Sequence, residues 1–225
     1  QADAQALHRL REVAGPEPIG RTLVIGAGAC RLAYDLHREM GATNTIALDI
    51  DAMLFAAASI VIRGGEAPLT EINAGIDSQD QVSRTWTLKA PAGANDSSHF
   101  QFLIADGLQV PFADESFDTV VTPWFIDLIP RDLRSFIPML RRLLKPNGRW
   151  LNLGPLRYRP DSPVSQRFTR EEITEIGALA GLPVRQWTEA AMPYLVSKLN
   201  GRGKIEWVHA FSAFRMEPCP SPGDR

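Results

Sequence analysis

Three aspartates in this 225-residue chain stand at or just after short apolar runs that have the length of buried strands. Asp49 and Asp106 each close such a run, and Asp127 lies a few residues beyond a third one. Carboxylates accept hydrogen bonds from hydroxyl groups, amino groups and ring N–H groups. The three positions therefore predict a binding site for a polar small molecule at the ends of several strands.

A glycine pair, Gly26 and Gly28, follows a fourth apolar run at residues 22–25. Glycine lets the backbone turn sharply and approach a ligand closely, because no Cβ intervenes. A tight strand-to-helix turn with no ligand would use the same residues, and that interpretation stays open. The third glycine of a dinucleotide-binding turn is absent, which argues against NAD or FAD.

Asp49 and Asp106 have one binding interpretation and one structural interpretation each. A carboxylate about 20 residues after a glycine turn can accept both hydroxyls of a ribose, but Asp49 can equally cap the helix that follows it. Asp51 is the better candidate for that cap. Asp106 can accept from an adenine amino group, or it can belong to an ordinary Asp106-Gly107 turn.

The segment Thr122-Pro123-Trp124-Phe125-Ile126-Asp127 carries the candidate acceptor site. Pro123 ends the strand, and the aromatic pair can wall a pocket, since aromatic faces attract positive charge. Trp124 and Phe125 can also be core residues. Asp127 stands among apolar neighbours, and a buried carboxylate needs a partner. An imidazole N–H or an amine would supply one, and a helix N-cap is the alternative.

The elements that must position these residues alternate between strands and helices. Helical periodicity is found at residues 6–13, 32–40, 52–62, 133–144 and after Thr169, and strand-like runs at 22–25, 45–48, 83–88, 100–104, 117–121, 149–153, 183–188 and 204–215. A Lys-Pro-Asn-Gly turn at 145–148 separates a helix from a strand. Alternation of this kind predicts an α/β fold with a mostly parallel, doubly wound sheet. Ligands of such sheets bind beyond the carboxyl ends of the strands.

We predict one domain over residues 1–217 and a disordered tail at 218–225. Residues 63–99 are rich in glycine and proline and read as an irregular insertion, with a hairpin and a lid as candidate structures. The formal net charge is −2 and no half of the chain is basic, which disfavours a nucleic-acid partner. No apolar run reaches membrane-spanning length. Cys30 and Cys219 suggest no disulfide framework, so we expect a cytoplasmic protein. The four histidines lack paired spacing, so no metal site is expected.

The order of these motifs resembles that of class I S-adenosylmethionine-dependent methyltransferases. Within that class, four stretches resemble the carnosine N-methyltransferases and their bacterial relatives. They are LVIGAGACRLAYDL, DIDAMLFAAASIVI, TPWFIDLIP and LLKPNGRWLNLGPLRY. The similarity runs from about Leu23 to Arg215 and is poorest in the insertion. It implies a Rossmann-like seven-stranded sheet with an antiparallel closing strand, and S-adenosylmethionine as the cofactor.

The resemblance also implies roles for individual residues. The cofactor residues would be Gly26, Gly28, Arg31, Asp49, Ile50, Asp106, Gly107, Leu108 and Pro123. The substrate residues would be Trp124, Phe125, Asp127, Tyr158, Arg159, Tyr194 and Trp207. The acceptor would be a small imidazole-bearing molecule whose far ring nitrogen is held by Asp127, the one predicted catalytic residue.

The chain departs from the family pattern at three places near the site. Cys30 replaces a glycine, Arg159 replaces a histidine, and a tyrosine cluster entering the last strand is reduced to Trp207, with Glu206 beside it. These departures favour another imidazole, such as a histidine derivative, over carnosine itself. Alternatives are a methyltransferase for another amine, a phenol or a protein side chain, a cofactor-binding regulatory module without turnover, and an NAD dehydrogenase.

Overall fold

The computed structural model describes residues 2–73, 82–90, 98–197 and 202–216, and these form five α-helices and nine strands. The helices are α1 (Ala2–Ala14), α2 (Arg31–Glu39), α3 (Ala52–Ile62), α4 (Leu133–Leu143) and α5 (Arg170–Leu179). The strands are β1 (Gly20–Ile25), β2 (Ala42–Asp49), β3 (Ala67–Ile72), β4 (Ser83–Leu88), β5 (Phe100–Ile104), β6 (Phe117–Pro123), β7 (Leu144–Gly154), β8 (Val184–Ser197) and β9 (Arg202–Phe214). No helix within the described ranges has the length and hydrophobicity needed to cross a membrane.

Seven strands form one twisted sheet in the order β5-β2-β1-β6-β7-β9-β8. The pairs from β5 to β7 are all parallel, whereas β9 runs antiparallel to both of its neighbours. The predicted fold class, with its antiparallel closing strand, is therefore confirmed. Because the parallel strands share one direction, the residues that follow β1, β2, β5, β6 and β7 meet at one edge of the sheet.

Helices cover both faces of this sheet, which explains why its central strands are apolar without alternation. On β1, Val24 packs into a core formed with α1, α2 and α3, and its neighbours Leu23 and Ile25 pack into a second core with α4 and α5. All three are fully buried. This double anchoring fixes the position of the turn that leaves β1.

The predicted irregular insertion contains a small hairpin. The strand expected at Ser83–Leu88 is confirmed. It pairs antiparallel with β3, a strand that the sequence pattern did not indicate. β3 escapes detection because it lacks alternation: Pro68 interrupts it, and both Leu69 and Ile72 are exposed. Residues 74–81 and 91–97, like the expected tail with Cys219, lie outside the described residues, and a lid function stays a prediction.

Several strand boundaries differ from the sequence expectations. The strand expected at 183–188 continues to Ser197, since β8 pairs with β9 along almost its whole length and Pro193 is tolerated on an edge strand. The Lys-Pro-Asn-Gly turn lies inside β7, where the five steps from Leu144 to Arg149 face only two steps of β6, from Phe117 to Thr119. Asn147 has a φ of 61° there, so the turn is a bulge that shifts the register.

Candidate active site

The glycine turn after β1 forms one wall of the site. Gly26 has a φ of 76°, and its N–H donates to the carbonyl of Leu48 at 2.9 Å, which holds the turn against the end of β2. A Cβ on Gly26 would lie 2.6 Å from Cδ2 of Phe125. Both the backbone conformation and the close approach require glycine here, as the sequence predicted.

Asp49 lies at the end of β2, directly beside this turn. Its Oδ2 accepts from the N–H of Gly28 at 2.7 Å and its Oδ1 from the N–H of Asp51 at 3.0 Å. Asp51 caps α3 by accepting from Met53 N, so the helix-cap interpretation of Asp49 is wrong. A carboxylate has about four acceptor sites, so Asp49 keeps capacity for a ligand while its orientation is fixed.

Asp106 and Gly107 lie opposite Asp49, after β5. Asp106 Oδ1 accepts from Leu108 N at 2.8 Å, and the carbonyl of Asp106 accepts from Gln109 N, so the turn interpretation is correct. The same turn faces the site. A Cβ on Gly107 would lie 2.6 Å from Ile25 Cγ2 and 2.8 Å from Phe125 Cζ. The missing side chain thus leaves room for the Phe125 ring.

These turns border one crevice with an empty volume of about 720 Å³. Its lining residues are Gly26, Leu48, Asp49, Ile50, Asp106, Gly107, Leu108, Trp124, Phe125, Leu128, Ile129 and Pro130. Two carboxylates, two glycines without side-chain bulk and exposed apolar groups such as Ile50 and Leu128 match a ligand with ribose hydroxyls and a flat heteroaromatic ring. The crevice therefore fits the adenosyl part of S-adenosylmethionine.

Not every predicted cofactor residue lines this crevice. Gly28 adjoins it through its bond to Asp49, and Pro123 is buried at the end of β6. Arg31 instead pairs with Asp35 at 2.8 Å and lines a separate pocket between α2, α3 and β4. Contacts of these three residues with the cofactor stay predictions.

Cys30 stands where the family pattern has glycine, and its backbone retains a glycine-like conformation, with a φ of 63°. The residue is fully buried at the start of α2. Burial, with a smaller contribution from the charge of Asp49, raises the pKa of the Cys30 thiol to about 12. The thiol is therefore protonated and unreactive near neutral pH.

The turn after β6 carries the acceptor side of the site. Trp124 has a φ of 47°, rare for a residue with a side chain, and its N–H donates to the carbonyl of Leu153 at 2.6 Å. Leu128 N donates to the carbonyl of Phe125, which closes a tight turn over the intervening residues. Strained backbone of this kind is common at ligand sites.

Asp127, inside this turn, is 3% exposed, and its Oδ1 has no hydrogen-bond partner in the described part of the chain. The pKa of Asp127 is raised to about 6, mainly by burial and to a smaller extent by the charge of Glu206, against the opposing effect of the N–H groups of Asp127 and Arg157. The helix that follows is capped by Asp132, so the N-cap interpretation of Asp127 is wrong. Asp127 is thus a buried carboxylate of which one oxygen, Oδ1, lacks a donor among the described residues.

The charge of Asp127 acts on both predicted substrate tyrosines. Burial raises the pKa values of Tyr158 and Tyr194, and the charge of Asp127 contributes to both shifts. Tyr194, on β8, stacks on Trp124 with ring centroids 5.8 Å apart and an interplanar angle of 15°. Trp124 Nε1 is buried and has no hydrogen-bond partner among the residues that the structure describes. Asp127 does not line the open crevice, so the acceptor side is closed by its own side chains.

Two predicted substrate residues lie elsewhere. The guanidinium of Arg159 pairs with Asp161 at 2.6 Å, and Trp207 is 57% exposed and donates to Glu189 Oε2 at 3.0 Å. The buried residue at this point of β9 is Glu206, to which the sequence reasoning gave no role. Strand alternation would have found it, since Val208 and Ala210 place the even-numbered residues of β9 inward.

The chain is similar to known methyltransferases in sequence and in fold. A sequence model described as carnosine N-methyltransferase matches residues 5–200. A carnosine N-methyltransferase from Dictyostelium discoideum is 42% identical over 45 residues, which are 20% of this chain and only 10% of that protein. The chain thus matches a small part of that relative's length.

Solved structures share the fold at low sequence identity. The crystal structure of a putative methyltransferase from Bacillus halodurans is 12% identical, with a TM-score of 0.64 over 95% of this chain and all of that one. A geranyl diphosphate methyltransferase in complex with S-adenosylmethionine is 17% identical, with a TM-score of 0.60 over 95% and 85% of the two chains. With the family model covering most of the sequence, the chain belongs to the carnosine N-methyltransferase family of S-adenosylmethionine-dependent methyltransferases.

Proposed function

We propose that this protein transfers a methyl group from S-adenosylmethionine to a ring nitrogen of a small imidazole-containing molecule, a histidine derivative or a related dipeptide. One observation carries the proposal: Asp127 is 3% exposed and its Oδ1 lacks a donor. Leaving a buried acceptor unpaired costs about 1–3 kcal/mol. A ring N–H of the acceptor would satisfy it.

Different residues of the crevice would contact different parts of the cofactor. The carboxylate of Asp49 would accept the ribose hydroxyls, Asp106 and Leu108 would contact the adenine, and the turn at Gly26 would lie beside the methionine part. When bound, S-adenosylmethionine supplies an electrophilic methyl group on a positively charged sulfur that departs as a neutral thioether. The remaining task of the protein is to align the acceptor.

Asp127 performs that alignment. Neutral imidazole carries one N–H and one ring lone pair, and an acceptor bonded to the N–H decides which nitrogen keeps the lone pair. With a pKa near 6, Asp127 is ionised at pH 7.5. After methyl transfer the ring carries a methyl group on one nitrogen and a hydrogen on the other, and it is a cation until that N–H proton leaves. The carboxylate stabilises this positive charge.

The closed acceptor side implies a rearrangement on binding. Because only 3% of Asp127 is exposed, an acceptor reaches it only after neighbouring side chains move. Tyr194 is a candidate for this movement, since it lies near the exposed end of β8 and stacks on Trp124. Closure of the aromatic pair over a bound ring would then exclude water from the site.

A panel of acceptors with methyl-labelled S-adenosylmethionine tests the proposal. It comprises histidine, histidine-containing dipeptides, simple imidazoles, phenols and aliphatic amines. We expect label on imidazoles, with NMR of the product showing a methyl group on ring nitrogen. Label on phenols or amines alone would contradict the proposal.

The runner-up is a protein that binds S-adenosylmethionine without turnover, and the burial of Asp127 favours it. Calorimetry in parallel with the panel separates the two. Cofactor binding with no labelled product from any acceptor would support the regulatory protein instead.

A further inference from the structure

Glu206 is a buried carboxylate that neither the fold nor the proposed chemistry explains. It lies on β9 opposite Met192 of β8, with 7% of its surface exposed. Met192, Val208 and Ala210 belong to the apolar core on the same side of the sheet. A carboxylate in such surroundings is retained at a cost, unless a strong partner offsets its desolvation.

The described partner of Glu206 is weak. Arg157 Nη1 lies 3.3 Å from Oε2 and 3.5 Å from Oε1, whereas charge-assisted hydrogen bonds are about 2.7–2.9 Å long. The Arg157 side chain is 75% exposed, so water competes for its guanidinium. This ion pair therefore compensates only part of the cost of burying Glu206.

Glu206 also lies near the acceptor side of the site. Its cross-strand neighbour on β8, Met192, is two residues from Tyr194, and the Tyr194 ring stacks on Trp124 in the turn that carries Asp127. The charge of Glu206 disfavours ionisation of Asp127, and the charges of both carboxylates disfavour ionisation of the Tyr194 phenol, whose pKa is raised mainly by burial. Two like charges in one buried region repel, and a cation placed between them relieves the repulsion. The stacked rings of Trp124 and Tyr194 add aromatic faces that attract the same cation.

We propose that Glu206 binds an ammonium group of the methyl acceptor while Asp127 binds its imidazole N–H. This inference rests on the proposed function and narrows it: the preferred acceptor is an imidazole that carries a primary amine. Asp127 then orients the ring, and Glu206 selects acceptors by charge. Glu206 is a specificity-determining residue that makes no contact with the reacting nitrogen.

A comparison of two probe molecules measures the effect of the ammonium group alone. Histamine carries it, and 4-ethylimidazole has the same carbon skeleton without it. Their dissociation constants are measured by calorimetry on protein loaded with S-adenosylhomocysteine, and kcat/KM is measured with S-adenosylmethionine. Glu206→Gln keeps the shape of the side chain and removes its charge.

We expect Glu206→Gln to weaken histamine binding roughly 10- to 100-fold, the usual range for losing a charge-assisted hydrogen bond, and to leave 4-ethylimidazole unchanged. Arg157→Gln is the second variant. Because Arg157 competes with the ammonium group for Glu206, this variant should bind histamine as tightly as the wild type or more tightly.

The two levels of the proposal fail in different ways. If wild-type protein binds and methylates neither imidazole, the proposed function is wrong and the role of Glu206 falls with it. If wild-type protein methylates 4-ethylimidazole, but Glu206→Gln weakens both probes equally, only the role of Glu206 is wrong and its effect is structural. Weaker histamine binding in Arg157→Gln would likewise overturn it.

Discussion

The three aspartates that follow β2, β5 and β6 have different surroundings, and these differences assign their roles. Asp49 holds two backbone N–H groups and Asp106 holds one, so both carboxylates are fixed in place at the crevice wall. Asp127 is buried with an unpaired oxygen. In the proposed function, Asp49 and Asp106 bind S-adenosylmethionine, and Asp127 binds the methyl acceptor.

Asp127→Asn should stabilise the free enzyme at slightly alkaline pH. The folded protein raises the pKa of Asp127 from 3.8 to about 6, so the stability linked to its proton is complete below 3.8 and is lost as pH rises through 6. At pH 8 the ionised group therefore costs up to about 3 kcal/mol, at 1.36 kcal/mol per pKa unit. An asparagine cannot ionise and avoids this cost.

Urea unfolding at pH 8 and pH 4.5 measures the difference. We expect the variant to gain about 1–3 kcal/mol over wild type at pH 8, and most of that gain to disappear at pH 4.5. An equal gain at both pH values would show that ionisation of Asp127 is not the cause.

At this scale, single residues were predictable where one motif explains them. The glycine turn, the cap at Asp51 and the positions of Asp49 and Asp106 follow from local pattern. Glu206 was missed because its inward position follows from the alternation along β9, where Val208 and Ala210 are also buried, and the sequence reasoning considered only the neighbouring Trp207.

Among the elements, the turn from β1 to α2 depends most strictly on glycine. Gly26→Ala would force a left-handed conformation on alanine, which costs roughly 1–2 kcal/mol, and would place Cβ 2.6 Å from the Phe125 ring. Because Phe125 lines the crevice, its displacement would change the shape of the crevice. We expect roughly tenfold weaker binding of S-adenosylmethionine or worse, as about 1.4 kcal/mol of strain would produce.

Gly15→Ala is the matched control. Gly15 has a φ of 79° as well, but nothing lies within 4 Å of the added Cβ, and the residue is in the loop between α1 and β1. Calorimetry with S-adenosylmethionine should show no loss of affinity in this variant. Equal losses in both variants would attribute the effect to backbone strain alone and exclude the close approach of Phe125.

Elements with a self-contained signal were predictable. α3 is a mostly apolar segment between its cap at Asp51 and Arg63, so its position was predictable. Both ends of β4 were predicted at the correct residue. β8 was predicted at less than half of its length, because its distal half contains Pro193 and exposes Leu195 and Val196, and β9 holds it in place by main-chain pairing. The acceptor side depends on that half, which carries Tyr194.

In the whole molecule, Arg149 ties the sheet to the segment that enters it. The residue is 6% exposed, and its guanidinium donates to the carbonyls of Ala14, Glu17 and Pro18 and to Thr119 Oγ1. Removing it leaves these three carbonyls without the donor, including that of Ala14 in a buried contact. We expect Arg149→Met to lower the free energy of unfolding by roughly 3 kcal/mol or more.

Thermal unfolding checks this, and a loss of that size corresponds to roughly 6–12 °C for a chain of this length. Arg185→Met, at an exposed position on the edge strand β8, serves as the control and should change little. If the two variants melt together, the buried guanidinium is not the tie between these segments.

The overall architecture was the most predictable level, since alternating strands and helices allow few arrangements and place ligands at the carboxyl ends of parallel strands. That rule located Gly26, Asp49, Asp106 and the turn at Asp127. It could not supply the acceptor pocket, because β8 and β9 close it from a region far along the chain. The crevice at the ends of the parallel strands thus follows from the topology of the sheet. The acceptor side follows from the pairing of β8 with β9, near the C-terminal end of the described chain.

The turnover of Asp127→Asn with an imidazole acceptor tests the central claim most directly. With S-adenosylmethionine saturating, we predict that kcat falls by roughly 10²- to 10⁴-fold, the range found for positioned proton-transfer groups. The dissociation constant of S-adenosylmethionine, measured by calorimetry on the same protein, should stay at the wild-type value. Wild-type turnover in this variant would contradict the account.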